Sequence, residues 1–204
     1  MSQKDIAVPK KHDNETTGLG LRLRNTRRQR GMSLDTLAAK TSLTKSYLSK
    51  IERGEKAPSL ASILKITRAF DIQVSHLFGE ATDKDAICVV RRGERKPVAR
   101  IGAKKGYKYE AIAYKRRSKC MEAFIMYPPR RFEDDTLFEH EGEELIFVLK
   151  GKVEVVLVDK KVVLGPGDTI YFDGCHLHRS RSLSKSAVTL VVVAREQAEH
   201  RRPL

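Results

Sequence analysis

Cysteine is scarce in this 204-residue chain, and long apolar runs are missing. The three cysteines, Cys88, Cys120 and Cys175, are scattered without CxxC spacing. That excludes a disulfide framework or a zinc ribbon as the organising device, and a reducing cytoplasm is the expected compartment. No apolar stretch approaches the ~18 residues of a membrane-spanning helix. Residues 1–18 show no hydrophobic segment of the kind found in a secretory leader. There is no tryptophan, and no basic amphipathic helix with aromatic anchors, so a membrane partner is not expected.

Acidic residues are also in short supply over two-thirds of the chain. Residues 1–80 carry 15 Lys/Arg against 8 Asp/Glu and residues 81–130 carry 14 against 5, whereas residues 131–204 carry 11 against 13. The net charge of +14 is therefore an N-terminal and central property. Such an excess suits a polyanion, because neutralising phosphates releases their counterions and gives sequence-independent affinity. With 40% apolar residues, the chain is long enough for one or two domains with real cores.

Residues 33–54 organise the first half. Leu34, Leu37, Ala38 and Thr41 fall at i, i+3, i+4 and i+7 behind a good N-cap, Ser33, and predict an amphipathic helix of about two turns. Thr44 caps a second helix, on which Leu48 and Ile51 form a narrow apolar stripe until Gly54 ends it. The opposite face carries Lys45, Ser46, Ser49 and Lys50. Charge spacing by itself fits an ordinary solvated helical hairpin. A short helix that buries two large apolar residues and shows cations and small hydroxyls outward also suits the DNA major groove.

The particular residues favour the second reading. Leu37-Ala38, Leu43, the run from Ser46 to Gly54 and Pro58-Ser59-Leu60 resemble the helix-turn-helix of the phage Cro and repressor class, the XRE family. The resemblance extends over about residues 19–78 and implies double-stranded operator DNA as partner. It makes Lys45, Ser46, Ser49 and Lys50 candidates for base edges, and Ser33, Thr44, Tyr47, Arg53 and Lys56 candidates for phosphate contacts. It also implies an ion pair between Arg27 and Glu52. One departure is Ser42, where the family usually has glycine, so a mildly strained positive φ is expected there.

Around this core, residues 1–18 read as a disordered arm and residues 19–30 as a first helix. Gly18-Leu19-Gly20 is no nucleotide loop, since no strand precedes it and no third glycine follows. Ser59 caps a helix through Phe70, and residues 74–79 supply a last helical turn, which makes a five-helix unit over 19–79. A basic linker with a first strand is expected over 80–106.

From residue 86 the apolar pattern shortens and alternates. Strands are predicted at 87–90, 107–114, 122–127, 145–149, 153–158, 161–164, 169–172 and 187–194, punctuated by Gly151, Gly165, Pro166, Gly167 and Gly174. Eight short strands predict an antiparallel barrel or jelly roll. Phe138-Glu139-His140-Glu141-Gly142-Glu143-Glu144, with Val148 to Gly151, is similar to the first cupin motif, and Gly167-Asp168, Phe172 and His178 to the second. By that resemblance residues 107–195 form an all-β cupin domain for effector binding and dimerisation, with residues 196–204 as a tail. The family's metal ligands would be His140, Glu144 and His178, while Phe138 stands where a first histidine belongs.

Two imidazoles and a carboxylate can hold zinc or iron(II), with one nitrogen donor lost. A metal-free effector pocket lined by Phe138, His140, Glu144 and His178 is the favoured expectation. Cys175 and His176 are weaker ligand candidates, because neighbours on an extended segment face opposite ways. The combined reading is a cytoplasmic, homodimeric, sequence-specific transcriptional repressor that senses a small molecule and is not an enzyme. The alternatives are a metal-dependent cupin enzyme tethered to DNA and an architectural DNA-binding dimer with a vestigial barrel.

Overall fold

The computed structural model describes residues 14–78, 87–99, 106–116, 119–132 and 135–194. Among the described residues four α-helices come first: α1 (Asn14–Gln29), α2 (Leu34–Thr41), α3 (Lys45–Glu52) and α4 (Leu60–Ala69). Helix α1 starts earlier than expected and takes in residues 14–18 of the supposed arm; residues 1–13 lie outside the described residues. Gly20 is a packing residue. A Cβ there would lie 2.5 Å from the carbonyl oxygen of Ile51 and 2.8 Å from that of Glu52, so only glycine lets α1 cross the end of α3 this closely.

Ser33, Thr44 and Ser59 cap α2, α3 and α4, each side chain accepting an amide hydrogen bond from the first turn of its helix. Ser42 takes the left-handed conformation expected of it, with φ 55° and ψ 28°. The expected fifth helix is a single 3₁₀ turn, Val74–Phe78. Asp71 turns left-handed at φ 51° and separates the turn from α4, and five residues are too few to propagate an α-helix. Val74 and Leu77 nevertheless join Leu23, Leu37, Leu48, Ile63, Ile66 and Phe70 in the core, each 2% exposed or less. Burying a side chain of this kind stabilises by about 1.5–3 kcal/mol.

Among the described residues nine strands follow a short 3₁₀ turn at Arg92–Glu94: β1 (Lys96–Ala99), β2 (Lys108–Ala111), β3 (Met121–Tyr127), β4 (Glu143–Lys150), β5 (Val153–Leu157), β6 (Lys161–Leu164), β7 (Thr169–Asp173), β8 (His178–Ser182) and β9 (Val188–Ala194). They form a six-stranded sheet in the order β1-β2-β3-β9-β4-β7 and a three-stranded sheet in the order β6-β5-β8, with every pair antiparallel. The strand pattern differs from expectation at two places. Residues 87–90 are irregular, with Ile87 and Val89 80% and 51% exposed, and β1 lies further on at Lys96–Ala99 despite Pro97, which an edge strand tolerates. Strand β8, with the sequence HRSRS, was missed because its inward residues are polar: His178, Ser180 and Ser182 are buried while Arg179 and Arg181 alternate outward. Among the described residues no helix is long and apolar enough to cross a membrane.

Candidate nucleic-acid interface and buried triad

Two sites emerge from this frame. In the helical domain, Arg27 of α1 and Glu52 of α3 make a two-pronged ion pair, Nε to Oε1 at 2.7 Å and Nη2 to Oε2 at 2.9 Å, with Arg27 also donating to the Met32 carbonyl at 2.7 Å. Both side chains are almost fully buried. The hydrogen bonds to Glu52 raise the Arg27 pKa, against the opposing effect of burial. The pair fixes α3 against α1 and faces inward, so Glu52 is architectural.

Around that clamp, α3 leaves Lys45, Ser46 and Lys50 exposed and Ser49 half-buried. Lys45 makes a surface ion pair with Asp35 at 2.8 Å, a contact weak enough to exchange for a nucleic-acid partner. Arg53 is engaged by Glu55 and Ser49, and Lys56 lies over the Tyr47 ring at 5.1 Å. Ser33 and Thr44 act as caps, and the Ser33 hydroxyl also meets Thr36 Oγ1 at 2.9 Å. Tyr47 is tied inward: its hydroxyl meets Ser62 Oγ at 3.1 Å and accepts from the Ser59 amide at 3.4 Å. It braces α3 on α4.

In the barrel, the loop before β4 and the starts of β4 and β8 bring His140, Glu144 and His178 together. All three are buried, and their candidate ligand atoms lie within 4.8 Å of one another. His140 Nε2 is 2.6 Å from Glu144 Oε2, and His178 Nε2 is 3.7 Å from the same oxygen. The other ring nitrogens face backbone acceptors: His140 Nδ1 meets the Glu141 carbonyl at 3.1 Å, and His178 Nδ1 the His176 carbonyl at 2.7 Å.

A carbonyl only accepts, so His178 Nδ1 carries a proton and its Nε2 lone pair faces the carboxylate, whereas His140 Nε2 is hydrogen-bonded to Glu144. Burial lowers the His178 pKa, partly opposed by the Glu144 carboxylate, which keeps that imidazole neutral. Two imidazoles and a carboxylate thus converge in a buried space. The donor set, with both rings oriented by outer hydrogen bonds, fits a divalent cation.

Phe138 does not fill the place of a fourth ligand. Its backbone bridges to His178, and its ring packs edge-on against Tyr107 with centroids 5.6 Å apart. Cys175 and His176 are exposed, whereas His178 is buried, so the extended segment turns only the last of these inward. Sequence reasoning missed Tyr107, whose hydroxyl donates to the Ser180 carbonyl at 2.6 Å and accepts from the Ser180 amide at 2.8 Å. Burial pushes its pKa up to about 12. It also missed Gly174, where a Cβ would lie 2.3 Å from the His140 ring. Neither residue carries a local signal, since both act through contacts made only in the folded barrel.

Comparison with known proteins matches these two regions separately. Residues 23–77 match the helix-turn-helix family HTH_3, and residues 123–194 match the Cupin_2 cupin domain. The immunity repressor protein of Bacillus phage phi105 is 39% identical over 64 residues, which is 31% of this chain and 44% of that protein. The transcriptional regulator PuuR of Escherichia coli is 24% identical over 139 residues, covering 68% of this chain and 73% of PuuR. The chain thus spans less than half the length of the phage repressor. A crystal structure of an HTH_3 family transcriptional regulator from Vibrio cholerae has the same fold, with a TM-score of 0.60 at 22% identity over 89% of this chain and 97% of that one. The chain joins an N-terminal helix-turn-helix domain of the HTH_3, or XRE, type to a C-terminal cupin domain.

Proposed function

We propose that this chain is a cytoplasmic, sequence-specific DNA-binding transcriptional regulator, acting as a repressor, whose cupin domain responds to a small effector. The observation that carries the reading is α3: an eight-residue helix clamped by a buried Arg27–Glu52 pair, with Lys45, Ser46 and Lys50 on its open face. Such a helix would present donors to base edges, and the flanking Ser33, Thr44, Tyr47, Arg53 and Lys56 are the candidates for phosphate contacts. The relatives named as a repressor and as transcriptional regulators support the same reading.

A helix-turn-helix of this size reads too little DNA for strong specificity, so two copies at half-site spacing are needed and the barrel is their dimerisation element. His140, Glu144 and His178 would hold a divalent cation, which would supply a positive contact for an anionic effector group. Phe138 and Tyr107 give the site an apolar wall. The chain is a sensor and not an enzyme in this reading, which the relatives named as transcriptional regulators support.

The test is selection of bound sequences from a random DNA pool, followed by affinity for the selected site against scrambled DNA at one salt concentration. A preference of at least about 10³-fold is expected of a specific reader. Equal affinity for both would leave only the architectural reading. Sedimentation of the full chain is expected to give a dimer.

A further inference from the structure

Helix α4 is buried more completely at its start than a surface helix should be. Leu60, Ala61, Ser62 and Ile63 are four consecutive residues, which point in all directions around the axis, and all four are buried. An amphipathic helix on a small core buries one stripe. The second partner is the cupin barrel: Ser59, Leu60 and Ala61 close the cavity that holds His140, Glu144 and His178. With about 30 Å³ inside, that cavity takes an ion or a water but no organic molecule. Immediately outside, Ser59, Ala61, Tyr107 and Phe138 also border an open groove of about 970 Å³ between the two domains.

The grip on α4 comes from the residues on either side of a triad member. Glu139 pairs with Lys65 at 3.3 Å, and Glu141 pairs with Arg68. Lys65 and Arg68 are three apart and share one face of α4. His140 is buried and turned into the barrel, while Glu139 and Glu141 are exposed and turned out to the helix. Any rearrangement of His140 therefore shifts both anchoring carboxylates. From α4 the contact continues to the reading helix through Tyr47, and Ser46, Tyr47 and Lys50 border the same groove.

We propose that the first turn of α4 is the lid of the barrel site, so that access to His140, Glu144 and His178 and release of the DNA-binding domain from the barrel are one equilibrium. An organic effector reaches the triad only when α4 lifts, and a docked α4 keeps part of the reading face turned towards the barrel. The proposal rests on reading the triad as a ligand site.

The test uses the full chain and two readouts: amide hydrogen exchange in residues 59–64, and the rate of Co²⁺ uptake followed by its visible absorption. Reversing the charges on either side, as Glu139→Lys with Glu141→Lys or Lys65→Glu with Arg68→Glu, is expected to speed both exchange and Co²⁺ uptake at least about tenfold, the size of a lost 1.4 kcal/mol. The four-residue swap, which restores opposite charges, is expected to return both towards wild type. Glu139→Gln with Glu141→Gln, a milder change that preserves shape, is expected to move both in the same direction by less. Unchanged exchange alongside normal Co²⁺ uptake in every variant would overturn the lid. Co²⁺ taken up by no variant, although exchange responds, would overturn instead the ligand reading beneath it.

Discussion

The two domains each bury a cluster of ionisable residues, and the clusters differ in what meets the carboxylate. In the helical domain Arg27 supplies three donors, two to the Glu52 carboxylate and one to the Met32 carbonyl. In the barrel, the Glu144 carboxylate is met instead by imidazoles, with His140 Nε2 hydrogen-bonded to it at 2.6 Å and His178 Nε2 at 3.7 Å. A buried pair that is complete holds elements together and asks for nothing more. Two imidazoles and a carboxylate that converge in a buried space are a donor set for a cation. Buried ionisable residues thus make architecture in one domain and a candidate site in the other.

The largest effect should come from breaking the complete cluster. Glu52→Ala leaves the Arg27 guanidinium buried without its carboxylate and is expected to cost about 3–5 kcal/mol of stability, read as the shift in a urea or thermal midpoint. Replacing both partners, Arg27→Met with Glu52→Leu, is expected to restore most of that loss. A double variant as unstable as Glu52→Ala would mean that the pair itself, and not the stranded charge, carries the stability.

Gly174→Ala breaks the barrel cluster without removing a donor, because the new Cβ meets the His140 ring. Cation affinity measured by calorimetry with Zn²⁺ or Co²⁺ is expected to fall about 10- to 100-fold, the range seen when a ligand's support is lost. Removing the donor itself in His140→Ala is expected to cost at least as much, with little change in the stability of chelator-treated protein.

Lys45→Ala sharpens the contrast on the DNA side. Its surface pair with Asp35 stabilises little. The substitution is expected to leave the fold intact and to weaken operator binding by about 1–3 kcal/mol, with relaxed preference at one base position. Binding across single-base operator variants checks this, and an unchanged preference would make Lys45 a phosphate contact. The smallest effect should follow Phe138→His, which returns a nitrogen donor to the cavity wall. A gain of about tenfold in Zn²⁺ affinity, roughly 1.4 kcal/mol, is expected. No gain would show that the 138 side chain stays against Tyr107.

Legibility also divides along the domain boundary. In the helical domain the contacts that define each element are local, so caps, spacing and turn residues at Ser33, Ser42, Thr44 and Ser59 could be read directly from the chain. The fifth helix failed only because Asp71 ends α4 and leaves too short a segment. In the barrel each strand is paired with a distant one, as β3 and β4 both pair with β9. Apolar alternation found most of these strands. It could not find β8, whose buried face is polar because it lines the site and meets Tyr107.

The sequence by itself determined the two-domain plan and the candidate reading helix, because spacing along one element carries that information, and the resemblance of its motifs to known families supplied the Arg27–Glu52 pair and the three triad residues. Only the tertiary structure decided the state of those residues. It turned each Nδ1 to a carbonyl, set Tyr47 as a brace, drew Gly174 under His140 and laid α4 across the barrel mouth. Each of these depends on the distance between atoms far apart in the chain, such as Lys65 and Glu139, 74 residues apart. Such distances are set by how whole elements pack, and no local pattern of residues records them.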